Sequence, residues 1–244
     1  MNKPVIFITG SARGIGAATA RLARQKGWQP VLHGRTASAH LQALAAELET
    51  IFFVADVSDK MAIDQAIKQA HEKFGRLDAL ANCAGMVKPK PFLAMAPEDW
   101  QAEYQVNVLG SVFACQAAIP LMQKQENGGR IVNISSIRGL HPTMSARGVC
   151  YSMSKAAVCT LTETLAKEFS PKIGVNAVAP GFTATDMAET WNETVWAQAR
   201  SALAGRPGQP EEIAATVMFL ASAEASFITG QTILADGGYT MAGK

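Results

Sequence analysis

Short, nearly continuous apolar runs alternate with helix-forming stretches from one end of the chain to the other. Runs at 4–9, 30–33, 51–55, 79–81, 130–134, 175–179 and 232–234 have the length of strands. They lack the polar alternation of a half-exposed sheet, as strands buried on both faces do. Between them, helical segments are predicted at 17–26, closed by Gly27, and at 37–49, 59–74, 97–125, 151–169 and 210–222. This alternation predicts an α/β fold, a doubly wound, seven-stranded parallel sheet flanked by helices. Its ligand crevice lies at the carboxyl ends of the strands, near the switch in strand order.

Bulk properties narrow this picture. The 244 residues show no Pro/Ser-rich linker, low-complexity run or internal repeat, which suits one domain over 1–244. Lys+Arg 22 against Asp+Glu 20 gives a net charge of +2, too balanced to imply a nucleic-acid or membrane surface. No apolar stretch of about 18 residues and no charged-then-apolar leader is evident, so the expected compartment is the cytoplasm. Cys83, Cys115, Cys150 and Cys159 form no CxxC and have no histidine at metal spacing. They read as reduced packing residues, with no metal site expected.

Candidate chemistry enters with Tyr151-Ser-Met-Ser-Lys155. Residues at i and i+4 share a helix face, so a phenol and an ammonium can address one bound molecule. A free phenol, with a pKa of about 10, is too weak an acid for ready proton exchange at neutrality. A lysine charge ~5 Å away contributes roughly 3 kcal/mol at an effective dielectric of ~20, about two units. Alone, the same spacing is more often an ordinary surface tyrosine and lysine on a helix. The amino-terminal segment adds weight: after the first predicted strand comes Gly10-Ser-Ala-Arg-Gly14-Ile-Gly16, then a helix. Glycines there let the backbone turn tightly and approach a pyrophosphate, with the helix N-terminus supplying N–H donors, although the spacing is GxxxGxG rather than GxGxxG.

The ordered set Thr9-Gly-Ser-Ala-Arg-Gly-Ile-Gly16, Asp56-Val57, Asn82-Cys-Ala-Gly85, Asn107, Ser136, Tyr151 with Lys155, Pro180-Gly181 and Asp236-Gly-Gly238 resembles the short-chain dehydrogenase/reductase family over nearly the whole chain. Within it, the bacterial 3-oxoacyl-[acyl-carrier-protein] reductases are the most similar branch. The resemblance implies a Rossmann-type fold and a catalytic set of four. Tyr151 would be the proton donor and Lys155 its partner and ribose ligand. Ser136 would bind the substrate oxygen, and Asn107 would hold a helix bend and a water relay. It also implies cofactor contacts from Gly10, Ser11, Arg13, Gly14, Ile15, Gly16, Arg35, Asp56, Val57, Asn82, Ala84, Gly85, Pro180, Gly181, Thr183 and Thr185, besides Tyr151 and Lys155. Cys83 stands where the family usually has alanine, and Asn82 is as readily a structural turn residue.

Charge argues the cofactor. After the second strand, an NAD enzyme of this build carries an acidic residue for the ribose, whereas an NADP enzyme carries arginine for the added phosphate. Here His33-Gly34-Arg35 is followed by no carboxylate until Glu47, and Arg13 lies in the glycine loop, so NADP(H) is expected, with both arginines bracketing the phosphate. Substrate is less constrained. A lid-like segment holds Phe182, Met187, Trp191, Val195 and Trp196, placed to wall a pocket or a subunit interface. Arg138, His141 and Arg147 face either an anionic substrate or water. Arg130, with Lys172 near a second position, corresponds to basic residues that receive an acidic carrier protein in the reductase branch. Three readings stay open: a reductase of 3-oxoacyl thioesters, with an acyl carrier protein as a possible partner; a reductase of a small ketone, sugar or cyclic alcohol; and a dinucleotide sensor without catalysis. The resemblance further implies a homotetramer built through 97–125, 151–169 and the last strand.

Overall fold

The computed structural model describes residues 3–140 and 148–242, the side chains of Met187 and Thr190 apart. Seven strands form one parallel sheet: β1 Val5–Thr9, β2 Gln29–Gly34, β3 Phe52–Val54, β4 Ala79–Asn82, β5 Gly129–Ile134, β6 Ile173–Pro180 and β7 Thr232–Ala235. Their order is β3-β2-β1-β4-β5-β6-β7, so the chain reverses direction across the sheet between β1 and β4. Register pairs Thr9 with Asn82, and Asn82 with Asn133, which brings three strand ends level beside the switch point.

Alternate residues of the central strands enter two separate cores. Ile6, Ile8, Leu32 and Val132 face the side covered by α1 Gly14–Gln25 and α8 Pro210–Ala221. Val5, Phe7, Val31 and Ile131 face the other side, against α3 Lys60–Phe74 and α5 Gly110–Lys124. Burial on both faces is why these strands read as unbroken apolar runs. The edge strands differ: Val54 is 51% exposed and β7 is only partly covered, so burial on both faces does not extend to them.

Helix ends follow side-chain chemistry. Asp59 accepts from the N–H groups of Met61 and Ala62 at 3.0 and 3.1 Å to start α3, and Gly75, at φ 70°, ends it. The predicted helix at 97–125 is a composite: α4 Pro97–Tyr104, a π-helical turn Gln105–Leu109, and then α5. An 18-residue window within Pro97–Lys124 reaches a mean hydropathy of 1.3, which corrects the expectation of no such stretch; this helix buries its apolar side in the core. The remaining helices are α2 Ala39–Glu47, α6 Val149–Phe169 and α7 Glu193–Arg200. The sequence pattern left α7 unpredicted.

Candidate active site

The glycine loop leaves β1 at Gly10 (φ 63°) and enters α1 at Gly14 (φ 55°), both in the left-handed region open to glycine. A methyl on Gly10 would lie 2.7 Å from the Ala84 Cα, and one on Gly16 would strike the Gly10 carbonyl. The loop therefore packs as bare backbone against α1, whose first turn holds no acidic side chain. Unpaired N–H groups at that helix end make a cradle suited to a pyrophosphate. Ile15 lies in the first turn of α1, and Ala84 backs the loop, its N–H donating to Thr9 Oγ1 at 3.1 Å. The Ser11 hydroxyl donates to the His33 carbonyl at 3.2 Å and accepts from the His33 N–H at 2.8 Å, which ties the loop to β2. His33, which the sequence pattern marks only as the end of a strand, accepts from the Gly10 N–H through Nδ1 at 3.4 Å. It is 1% exposed, its Nε2 has no partner, and burial pushes its pKa down to about 4, so the ring is neutral.

Arg35 follows β2 and is exposed. The first later carboxylate, Glu47, is held by Arg21 through two contacts of 2.8 Å. Asp56 accepts from Ser58 N–H at 2.9 Å and Ser58 Oγ–H at 2.7 Å. Burial would raise its pKa, but the two Ser58 bonds and the Arg35 charge outweigh it and hold the carboxyl low. Val57 packs beneath Gly110, where a methyl would meet it at 2.8 Å. Arg13 does not join Arg35. Its guanidinium lies 3.6 Å from the Asp186 carboxylate, across the loop toward the lid. Asn82 is turned inward as well: its amide donates to Asn133 Oδ1 at 2.8 Å and its own Oδ1 is buried without a partner, so its side chain tethers strands instead of lining the crevice.

Lys155 and Tyr151 stand one turn apart on α6, at the carboxyl ends of β4 and β5. Lys155 is 4% exposed, and Nζ donates to the Ile134 carbonyl at 2.8 Å. A methyl on Gly85 would lie 3.4 Å from both Lys155 Nζ and Asn107 Oδ1, so these three residues meet at one point. Gly139 is pressed on the helix: a methyl there would lie 2.6 Å from the Lys155 carbonyl carbon. Ser135 uses its hydroxyl on the Lys155 carbonyl at 2.8 Å, while Ser136 acts on the Tyr151 phenol, opposing the rise in its pKa. Asn107 sits in the π turn. Its Oδ1 accepts from Met86 N–H at 2.8 Å, and its Nδ2 donates to Met86 O at 2.9 Å and to Ser154 Oγ at 3.0 Å.

The charge argument from spacing needs correction. Burial pushes the Lys155 ammonium down to about 8. Tyr151 is raised, burial being the largest cause, with Glu103 adding to it and Ser136 and Arg138 opposing. The ammonium lies 5.7 Å from the centre of the tyrosine ring and is committed to a carbonyl, so it does not by itself bring the phenol to neutrality. Glu103, also missed in the sequence, is 1% exposed, holds the Lys88 N–H, and leaves Oε2 without a partner.

On the far side of the crevice, Gly181 N–H donates to Ala235 O at 3.0 Å after Pro180 ends β6, and its bare Cα faces Asp236. Thr183 turns its hydroxyl back to Gly181 O at 3.1 Å, so its side chain serves the turn. Thr185 lies over the glycine loop, its methyl 3.2 Å from where a Gly14 Cβ would be. Trp196, Trp191, Phe182 and Tyr239 form one chain of edge-to-face rings, with centroids 5.1, 5.4 and 5.1 Å apart, and Tyr239 was not anticipated. Val195 is half-buried beside them, and His141 and Arg147 lie outside the described residues. Arg130 lies at the amino-terminal end of β5 and Lys172 just before β6, the end of the strands opposite the crevice, so within one chain they do not border it. All four cysteines are free thiols.

A glycine cradle at a Rossmann switch point, facing a tyrosine, a lysine, a serine and an asparagine, defines a nicotinamide-dependent oxidoreductase. The chain matches the family described as Enoyl-(Acyl carrier protein) reductase over residues 10–240. It is 40% identical to the 3-oxoacyl-[acyl-carrier-protein] reductase of Synechocystis sp., covering 97% of each chain. It is also 40% identical to the 3-oxoacyl-[acyl-carrier-protein] reductase FabG of Thermotoga maritima, covering 96% of each. Among solved structures, ligand-free aldohexose dehydrogenase of Thermoplasma acidophilum superposes with a TM-score of 0.87 at 27% identity, over 98% of this chain and 95% of that one. The chain belongs to the short-chain dehydrogenase/reductase family.

Proposed function

We propose that this chain is a single-domain, NADPH-dependent reductase that converts a ketone to a secondary alcohol, with a 3-oxoacyl thioester as substrate. The observation that carries the reading is the meeting of Lys155, Asn107 and Gly85 at one point beside Tyr151 and Ser136. Backbone at Gly10, Gly14, Ile15 and Gly16 would hold the pyrophosphate. Arg35 and Arg13 would hold the 2′-phosphate, Arg13 by exchanging Asp186 for it. Asp56, Val57, Ala84 and Gly85 would border the adenosine, and Pro180, Gly181 and Thr185 the nicotinamide. When bound, the nicotinamide supplies a hydride to the carbonyl carbon. Tyr151, a phenol that burial keeps protonated at neutral pH, delivers its proton to the carbonyl oxygen, and Ser136 orients that oxygen. Lys155, with its pKa near 8, exchanges a proton close to neutrality and returns one to the phenol. Asn107 positions the residue-86 loop and Ser154 around it.

The names of the two bacterial relatives support the thioester, with an acyl carrier protein as its donor. A second reading, a small ketone or sugar, is favoured by the position of Arg130 and Lys172 away from the crevice and by the name of the solved relative. A cytoplasmic homotetramer fits the surface. Phe227 is fully exposed, Leu234 is 46% exposed, and a groove of about 610 Å³ between α6 and β7 includes Ala166, Thr229 and Gly230. The test is NADPH consumption by the purified chain with acetoacetyl thioesters and a panel of simple ketones. Turnover of the thioester is expected; no turnover of any ketone contradicts the reading.

A further inference from the structure

We propose that Arg138 gives the site a second substrate class beside the thioester: ketones that carry a free carboxylate a few atoms from the carbonyl, as a 3-oxo acid does. The proposal rests on the ketone-reductase reading and adds a substrate class to it. Arg138 and Tyr151 flank the same glycine. A methyl on Gly148 would lie 3.9 Å from Arg138 Nη1 and 4.0 Å from Tyr151 Cβ. The Arg138 N–H donates to Ser136 Oγ at 3.2 Å, so the residue is fixed to the hydroxyl that meets the substrate oxygen. Its guanidinium carbon stands 6.0 Å from the centre of the Phe182 ring, and that ring is held edge-on by Trp191 and Tyr239. Stacking of this kind orients a guanidinium while leaving its N–H fork open.

The fork has no anion of its own. Arg138 makes no ion pair with a carboxylate among the described residues, and the neighbouring segment 141–147 contains no Asp or Glu. Asp186 pairs with Arg13 and Glu193 with Arg200, and Glu103, whose Oε2 is unpartnered, forms no ion pair with Arg138. A half-buried guanidinium without an ion-pair partner among the described residues, beside the proton donor, is matched by a carboxylate binding through two parallel hydrogen bonds. A neutral ester or thioester offers the same position only one carbonyl oxygen and no charge. The site should therefore separate an oxo acid from its own ester.

The test uses the full chain, NADPH, and the matched pair acetoacetate and methyl acetoacetate, with wild type, Arg138→Met and Arg138→Lys. In wild type, kcat/KM is expected to be higher for the acid. In Arg138→Met the acid-to-ester ratio should fall about 30-fold or more, and Arg138→Lys should restore part of it, because charge is kept and the fork is lost. An unchanged ratio in Arg138→Met, or equal losses on both ketones, overturns the assignment. If neither of these ketones nor an acetoacetyl thioester consumes NADPH in folded wild type, the reductase reading fails on its own. Calorimetric binding of acetoacetate then decides Arg138 separately: weaker binding to Arg138→Met supports the carboxylate contact, and equal binding refutes it.

Discussion

The Asn107 side chain pairs with both backbone groups of Met86, accepting its N–H at 2.8 Å and donating to its carbonyl at 2.9 Å, as a neighbouring strand would. This bond pair joins the π turn to the loop after β4, and the remaining amide hydrogen reaches Ser154 on α6. Three elements that frame Lys155 are thus tied by one side chain. Asn107→Ala should cost about 2 kcal/mol, since it leaves buried polar groups unpaired. The expected outcome is a lower urea midpoint together with a fall in kcat.

His33 makes stability depend on acid. Its folded pKa, about 4, lies below its ordinary 6.5, so the unfolded chain takes up the proton first. The stabilisation is complete above about 6.5 and is lost as the pH falls toward 4, up to roughly 3 kcal/mol. The depressed Asp56 acts in the same direction, so the comparison that isolates the ring is wild type against His33→Gln. Urea unfolding between pH 7 and pH 4.5 should show a steeper loss in wild type; parallel losses would argue against a neutral buried imidazole.

Arg35 is the exposed cation at the end of β2, with Glu47 already committed to Arg21. Arg35→Asp replaces phosphate attraction with repulsion and supplies an acceptor for ribose hydroxyls. The ratio of kcat/KM for NADPH over NADH should drop on the order of 100-fold or invert. A wild-type enzyme as efficient with NADH as with NADPH would remove the basis of the cofactor assignment.

How much of this the chain discloses depends on whether the cause is local. Burial of both sheet faces writes itself as runs such as Val5–Thr9, and glycine spacing marks the loop where a Cβ at Gly10 would collide with Ala84. The Tyr151–Lys155 spacing places both on one helix face. It does not reveal that the ammonium goes to Ile134 O, because that carbonyl comes from another element. Hydrophobic pattern alone reads 97–125 as one helix, because the bonds of Asn107 run to a residue 21 positions earlier; the family resemblance, which implies a helix bend held by Asn107, is what points to the π turn. Likewise His33 reads as a strand residue, and Arg138 as a loop cation, until the fold brings Gly10 to one and Phe182 to the other.

The central claim is that the Tyr151 phenol gives the proton that completes reduction. Single-turnover and steady-state rates of Tyr151→Phe, measured beside NADPH affinity by fluorescence titration, address it most directly. The account predicts a loss in kcat of about 10²–10⁴ with NADPH binding changed by less than about threefold. A folded Tyr151→Phe enzyme that binds NADPH and turns over at a rate close to wild type would contradict it.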